Sequence, residues 1–211
     1  MPAMFSASSS SPSSGASISR ETLIGRLWPV QVSPFAAMLR GGVLVAAGTA
    51  LLTLSAKVNV PLPYVPMTMQ SLVVLLIGAA YGWRLGVATI LAYLAEAAIG
   101  WPVLAGPLGG AAVMAGPTGG YLAGFVAAAF LAGWLGERGW DRSVGRLALV
   151  MAIGHVVMLG AGFGWLATGM KLGADKAWLV GVVPFIAGSV VKSVLGALLL
   201  PMARRSNSRF R

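Results

Sequence analysis

Three side chains stand out because lipid would not tolerate them unpartnered. Glu96, His155 and Lys192 each fall inside an apolar run of the chain. Charge at membrane depth costs several kcal/mol unless it is paired or hydrated, so such groups face a cavity or one another. Lys192 has the plainest case. The first arginine after it is Arg204, twelve residues on, which is about 18 Å along a helix at 1.5 Å per residue. Snorkelling to the interface over that length is difficult, which leaves a cavity as the favoured place for the ammonium. Glu96 lies four residues before Gly100, so a route to the interface and a buried role both remain open. His155 can stay neutral at little cost, and ordinary packing is its favoured reading. A fourth feature is Gly116-Pro117-Thr118-Gly119-Gly120-Tyr121 at the start of an apolar run. Glycines there permit close backbone approach, and the helix N-terminus offers unpaired N–H groups to an anion or carbonyl oxygen. A turn with no ligand accounts for the segment equally well.

The elements that would position these residues are membrane helices. Of 211 residues, 57% are hydrophobic and 9% charged, against about 25% charged in soluble domains. A soluble fold of this size cannot hide so much apolar surface. The net charge of +10 would suggest nucleic acid in a soluble protein. Here the basic residues flank apolar runs, so membrane orientation and anionic headgroups explain them and no nucleic-acid partner is expected. There is no cysteine and one histidine. That excludes thiolate sites and cysteine nucleophiles and makes a histidine-built metal site implausible, so neither metal nor cofactor is expected. No P-loop, Gly-x-Ser-x-Gly elbow or His-Glu-x-x-His helix occurs, and a membrane enzyme is disfavoured. Without a P-loop the chain is not expected to hydrolyse ATP itself.

Six helices are expected, over residues 35–56, 67–82, 83–99, 121–135, 147–167 and 178–202, with Asn59 to Pro63 as a turn and residues 100–120 as a long Gly/Pro stretch. Several runs are shorter than the ~20 residues of a perpendicular span. Arginine placement orients them. With the N-terminus inside, all eleven arginines fall in cytoplasmic segments, and the outer loops hold only Lys57, Lys171 and Lys176. The fold class is therefore an all-α integral membrane protein of six transmembrane helices with both termini cytoplasmic. Residues 1–33 form a tail, Ser-rich from Ser6 to Ser19 and expected to be disordered, with a short interfacial helix from Arg20 to Trp28. It lacks the pattern of a secretory signal. Residues 34–203 form the membrane domain and 204–211 a basic cytoplasmic tail. Gly42, Ala46 and Ala50 repeat at spacing four, which lets another helix approach closely. Intrachain packing and a docking face for a partner subunit both fit that strip.

Four segments together resemble the BioY family, the biotin-specific substrate-binding components of energy-coupling factor transporters. They are Val65-Pro66-Met67-Thr68-Met69-Gln70, Gly100-Trp101-Pro102-Val103-Leu104-Ala105-Gly106, Gly116 to Leu122, and Pro184 to Lys192, within residues 40–202. The resemblance implies a six-helix, high-affinity subunit in the bacterial cytoplasmic membrane that captures biotin from outside. It also implies a transmembrane coupling protein and two cytosolic ATPases as partners, and release of the vitamin when the subunit topples in the lipid bilayer. Where the family often has Asp, this chain has Ser189, three residues before Lys192 and so on the same helix face. The site implied is Lys192 as cation, with Ser189, Gln70, Thr118 and Tyr121 as neutral partners, and with Gly119 and Glu96. Biotin has a ureido group with two donors and one acceptor, an apolar bicycle and an anionic tail, which suits an apolar pocket with few polar groups. A subunit for another small vitamin, and a solitary ion-coupled carrier with Glu96 or His155 as proton site, are the competing readings.

Overall fold

The computed structural model describes residues 22–28 and 33–208, without the side chains of Arg26 and residues 203–208. The Ser-rich stretch and the last three residues lie outside it, and so do the side chains of the basic C-terminal segment. Among the described residues the fold is helical apart from one two-residue hairpin.

Helix α1 (Leu23–Leu27) is capped by the Thr22 side chain, and Leu23 packs into the main core. Helix α2 (Pro34–Lys57) starts with Pro34 at its first position, where the missing N–H is no loss. It is followed by the strands β1 (Asn59–Val60) and β2 (Met67–Thr68), paired antiparallel with Asn59 opposite Thr68. Helices α3 (Gln70–Tyr81) and α4 (Trp83–Ala98) meet at Gly82, whose φ of +85° favours glycine. The Glu137 carboxylate accepts from the Trp83 N–H at 3.2 Å and so caps α4. After a loop with a single helical turn, α5 (Ala111–Met114), come α6 (Gly119–Glu137) and α7 (Val144–Gly164). The chain ends in α8 (Ala174–Gly181) and α9 (Val183–Ser208).

Helix α6 is the centre of the bundle, against α3, α4 and α7, and α9 lies on α7. Close approach rests on small residues. A Cβ at Gly78 would meet the Ala129 carbonyl oxygen at 2.6 Å, and one at Gly136 the Ala79 carbonyl oxygen at 2.8 Å. Van der Waals packing of this kind holds helices together where no hydrophobic drive exists between them. The periphery is the inverse of a soluble protein. Phe35, Met38, Leu39 and Leu54 on α2 and Val190, Val191 and Leu199 on α9 are exposed, as lipid-facing side chains are. Four described helices are long and apolar enough to cross a membrane: α2, α6, α7 with its extension, and α9 up to Met202.

The helices expected over 35–56, 83–99 and 121–135 appear as α2, α4 and α6 within a few residues. Three expectations need correction. The helix expected over 67–82 starts only at Gln70, because Met67 and Thr68 are extended and pair with β1. The helix expected from 178 to 202 is broken at Val182 (φ −121°, ψ −56°), so Trp178 to Gly181 belong to α8 and the residues from Val183 on to α9. Pro184 has no N–H to give and crowds the preceding turn, so the helix restarts just before it. The helix expected over 147–167 starts at Val144 and ends in a π-helical turn at Trp165–Gly169, where the Met170 N–H donates to the Trp165 carbonyl at 2.9 Å. The sequence also carried no sign of the β1–β2 pairing.

Candidate functional site

A cavity of about 310 Å³ lies among β2, α3, α6, α7 and α9 and the loop before α5. Its lining is mainly apolar: Val65, Leu104, Leu122, Phe125, Met158, Leu159 and Phe185. The hairpin turn brings Val65, Pro66 and Thr68 to it. The break at Val182 starts α9 so that Phe185, Ser189 and Lys192 reach the same wall.

Lys192 is buried, 6% exposed. Its ammonium donates to the Ser71 hydroxyl at 2.6 Å and to the Thr68 carbonyl at 3.2 Å. An ammonium has three donors, so one N–H has no partner among the described residues. No acidic side chain lines the cavity, which leaves a cation without a fixed counter-charge in its wall. Ser189 lines the cavity, buried, and makes no hydrogen bond among the described residues, which leaves its hydroxyl for a ligand. Gln70 is held at both ends of its amide: Oε1 accepts from the Thr68 hydroxyl at 3.1 Å, and Nε2 donates to the Tyr93 hydroxyl at 2.7 Å. One amide N–H remains. Thr118 lines the cavity beside the first turn of α6. The Tyr121 hydroxyl donates to the Gly181 carbonyl at 2.5 Å, so Tyr121 offers the cavity its ring rather than a proton. That ring lies 5.8 Å from the Phe185 ring.

The sequence-expected residues Lys192, Ser189, Gln70, Thr118 and Tyr121 are thus together. Two others are not. Gly119 is absent from the lining; a Cβ there would meet the Met114 carbonyl and the Trp165 indole, so this glycine serves close packing. Glu96 also lies outside the lining, half-buried near the end of α4, three residues beyond buried Tyr93 and on the same side of that helix. Conversely, His155 lines the cavity although packing was its favoured reading. Its Nδ1 lies 2.9 Å from the Met151 carbonyl and 3.1 Å from the Ser193 hydroxyl, while its Nε2 is buried without a partner among the described residues. Ser71 was missed altogether. A serine beside Gln70 in an apolar run carries no signal of its own; only the approach of Lys192 across 121 positions gives it a role. On α2, Gly42, Ala46 and Ala50 are exposed, so no other part of the described chain covers the strip.

Long apolar helices with hydrophobic side chains facing outward, around a small cavity with one buried cation, define a helical membrane protein built to hold a small solute. The chain belongs to the BioY family, whose model matches residues 28–209. A biotin transporter BioY from Rhizobium etli is 42% identical over 142 residues, covering 64% of this chain and 75% of that one. A probable biotin transporter BioY from Pyrococcus horikoshii is 40% identical over 156 residues, covering 74% and 91%. The fold is similar to a crystal structure of the S-component for biotin from an ECF-type ABC transporter. The TM-score is 0.73 at 26% identity, over 83% of this chain and 95% of that one.

Proposed function

We propose that this chain is the biotin-binding membrane subunit of an ECF-type vitamin uptake transporter, and that biotin sits in the cavity around Lys192. The observation that carries the assignment is the Lys192 ammonium, buried in a mainly apolar wall with one N–H open and no acidic side chain beside it. A cation so placed favours a ligand that brings an oxygen with negative charge or strong acceptor character. Biotin brings both a carboxylate and a ureido oxygen. The cavity is at the small end of the ~300–1,000 Å³ usual for ligand sites, and Ser189, Thr118 and Gln70 supply the neutral polar contacts. The names of the relatives point to the same vitamin.

We read six crossings, made by α2, α3, α4, α6, α7 and α9, of which four are long and apolar enough on their own. The 12 residues of α3 span about 18 Å, less than the ~30 Å of the hydrocarbon core. Eight of them are buried, so α3 is sheltered by neighbouring helices rather than by lipid. The arginine distribution supports a topology with both termini in the cytoplasm. A transmembrane coupling protein and two cytosolic ATPases supply the energy, and Gly42, Ala46 and Ala50 on the bare face of α2 are the docking strip.

The test is uptake of labelled biotin by cells that lack their own biotin importer. Uptake should need this chain together with the coupling and ATPase subunits. Uptake by the chain alone, abolished by a protonophore and indifferent to those subunits, would instead establish an ion-coupled carrier.

A further inference from the structure

We propose that Lys57 and Tyr93 form a two-sided clasp on the loop of residues 100–110, and that this clasp sets how fast ligand enters and leaves the cavity. The proposal rests on reading the cavity as the biotin site. Three consecutive residues of that loop, Leu104, Ala105 and Gly106, are part of the cavity wall. Their stretch has few backbone ties of its own. The Val103 N–H donates to the Trp101 carbonyl and the Gly110 N–H to the Ala97 carbonyl; no residue from 104 to 109 donates a backbone hydrogen bond among the described residues.

Side chains hold it instead. The Lys57 ammonium donates to the carbonyls of Pro102, Leu104 and Gly106 at 2.8, 2.7 and 3.0 Å. All three of its donors are thereby used. Lys57 is an exposed residue at the end of α2, and an exposed lysine gives up side-chain entropy to be ordered; convergence on three carbonyls of one loop is what fixes it. The carbonyl between, that of Val103, accepts from the Tyr93 hydroxyl at 2.8 Å. Tyr93 is fully buried. The loop is therefore gripped on alternate carbonyls, from an exposed cation on one side and from a buried phenol on the other.

The inner anchor also touches the site. The Tyr93 hydroxyl accepts from Gln70, Gln70 accepts from the Thr68 hydroxyl, and the Thr68 carbonyl accepts from Lys192. Gln70, Thr68 and Lys192 all line the cavity. A ligand that draws on the free N–H of Gln70 thus meets the hydrogen-bonded chain that runs from the Thr68 hydroxyl through Gln70 and Tyr93 to Val103, and in such chains each bond polarises the next; Lys192 joins it only through the main chain of Thr68.

The chain has no cysteine, so Ala105→Cys gives the purified full-length protein a single thiol on the loop. Its rate of modification by a maleimide reads loop opening without any ligand. Lys57→Met and Tyr93→Phe should each speed that modification about tenfold, and without the Cys should raise both association and dissociation rates of biotin by a similar factor, the affinity changing less than either, since charge-assisted and buried hydrogen bonds are lost. A merely structural role lowers the number of active sites and leaves the rates of the remainder unaltered. Unaltered labelling and biotin rates in variants that melt like the parent would overturn the clasp, and so would loss of sites alone. A parent protein that binds no biotin contradicts the reading of the cavity, while the thiol experiment still decides the clasp.

Discussion

Two of the three N–H groups of the Lys192 ammonium are engaged by Ser71 and Thr68; the third is the strongest donor the cavity offers. A hydrogen bond to a charged group is worth about 1.5–3 kcal/mol, and each 1.4 kcal/mol is tenfold. Lys192→Met should therefore fold and insert normally but bind biotin about 10- to 150-fold more weakly, as measured by titration of the purified variant. Lys192→Arg should also bind less well, because a planar fork does not replace a compact ammonium seated between a hydroxyl and a carbonyl. Ser71→Ala should weaken binding less than Lys192→Met, since Thr68 still holds the ammonium; equal affinities for Ser71→Ala and the parent would mean that Ser71 does not aim the lysine. Lys192 was legible in the sequence because a lone charge deep in an apolar helix demands an explanation. Tyr93 was not, because a tyrosine in an apolar run is ordinary, and its two bonds reach 10 positions forward and 23 back. Glu96 drew attention for the same reason as Lys192, yet it stands close enough to the helix end to avoid the interior.

At the scale of elements, apolar runs and arginine breaks located the helices, but not where proline and packing cut them. The break at Val182 is what turns Phe185, Ser189 and Lys192 toward β2 and α3. Hydropathy runs straight through it, because Val182 and Val183 are as apolar as the rest. Glycine at close crossings separates two kinds of small residue that look alike in sequence. A Cβ at Gly133 would fall on the backbone nitrogen and Cα of Trp83, while one at Gly42 meets nothing within 4 Å. Backbone cannot swing aside as a side chain can, so Gly133→Ala should lower stability by about 1–3 kcal/mol, while Gly42→Ala, free of clashes within a helix, should not lower the thermal midpoint. The outward strip has a different sensitivity. Ala46→Leu or Ala50→Leu should impair uptake by the assembled transporter while biotin binding by the isolated subunit stays intact, because a large side chain holds a docking helix away. A parallel fall in binding would mean that the strip supports the fold of the subunit itself.

The whole molecule is a bundle with one buried lysine in its cavity wall and with arginine-rich segments that the charge rule would assign to the cytoplasm. Composition alone made the membrane class evident, and the four sequence segments that resemble the BioY family lie where the cavity is. The site's detailed contacts were not legible, since they join α2, α3, α4 and α9 across distances in sequence that no local pattern records. The proposed topology, with both termini cytoplasmic, predicts that tags at the two ends are each protected from protease added to intact cells; cleavage of the C-terminal tag alone would require an odd number of crossings. The central claim is that the cavity around Lys192 holds biotin. Calorimetric titration of the purified full-length chain with biotin, repeated with Lys192→Met, tests it most directly. The expected result is saturable binding of one biotin per chain, weakened at least tenfold by the substitution. No saturable binding by the parent, or equal affinity in a well-folded Lys192→Met protein, would contradict it.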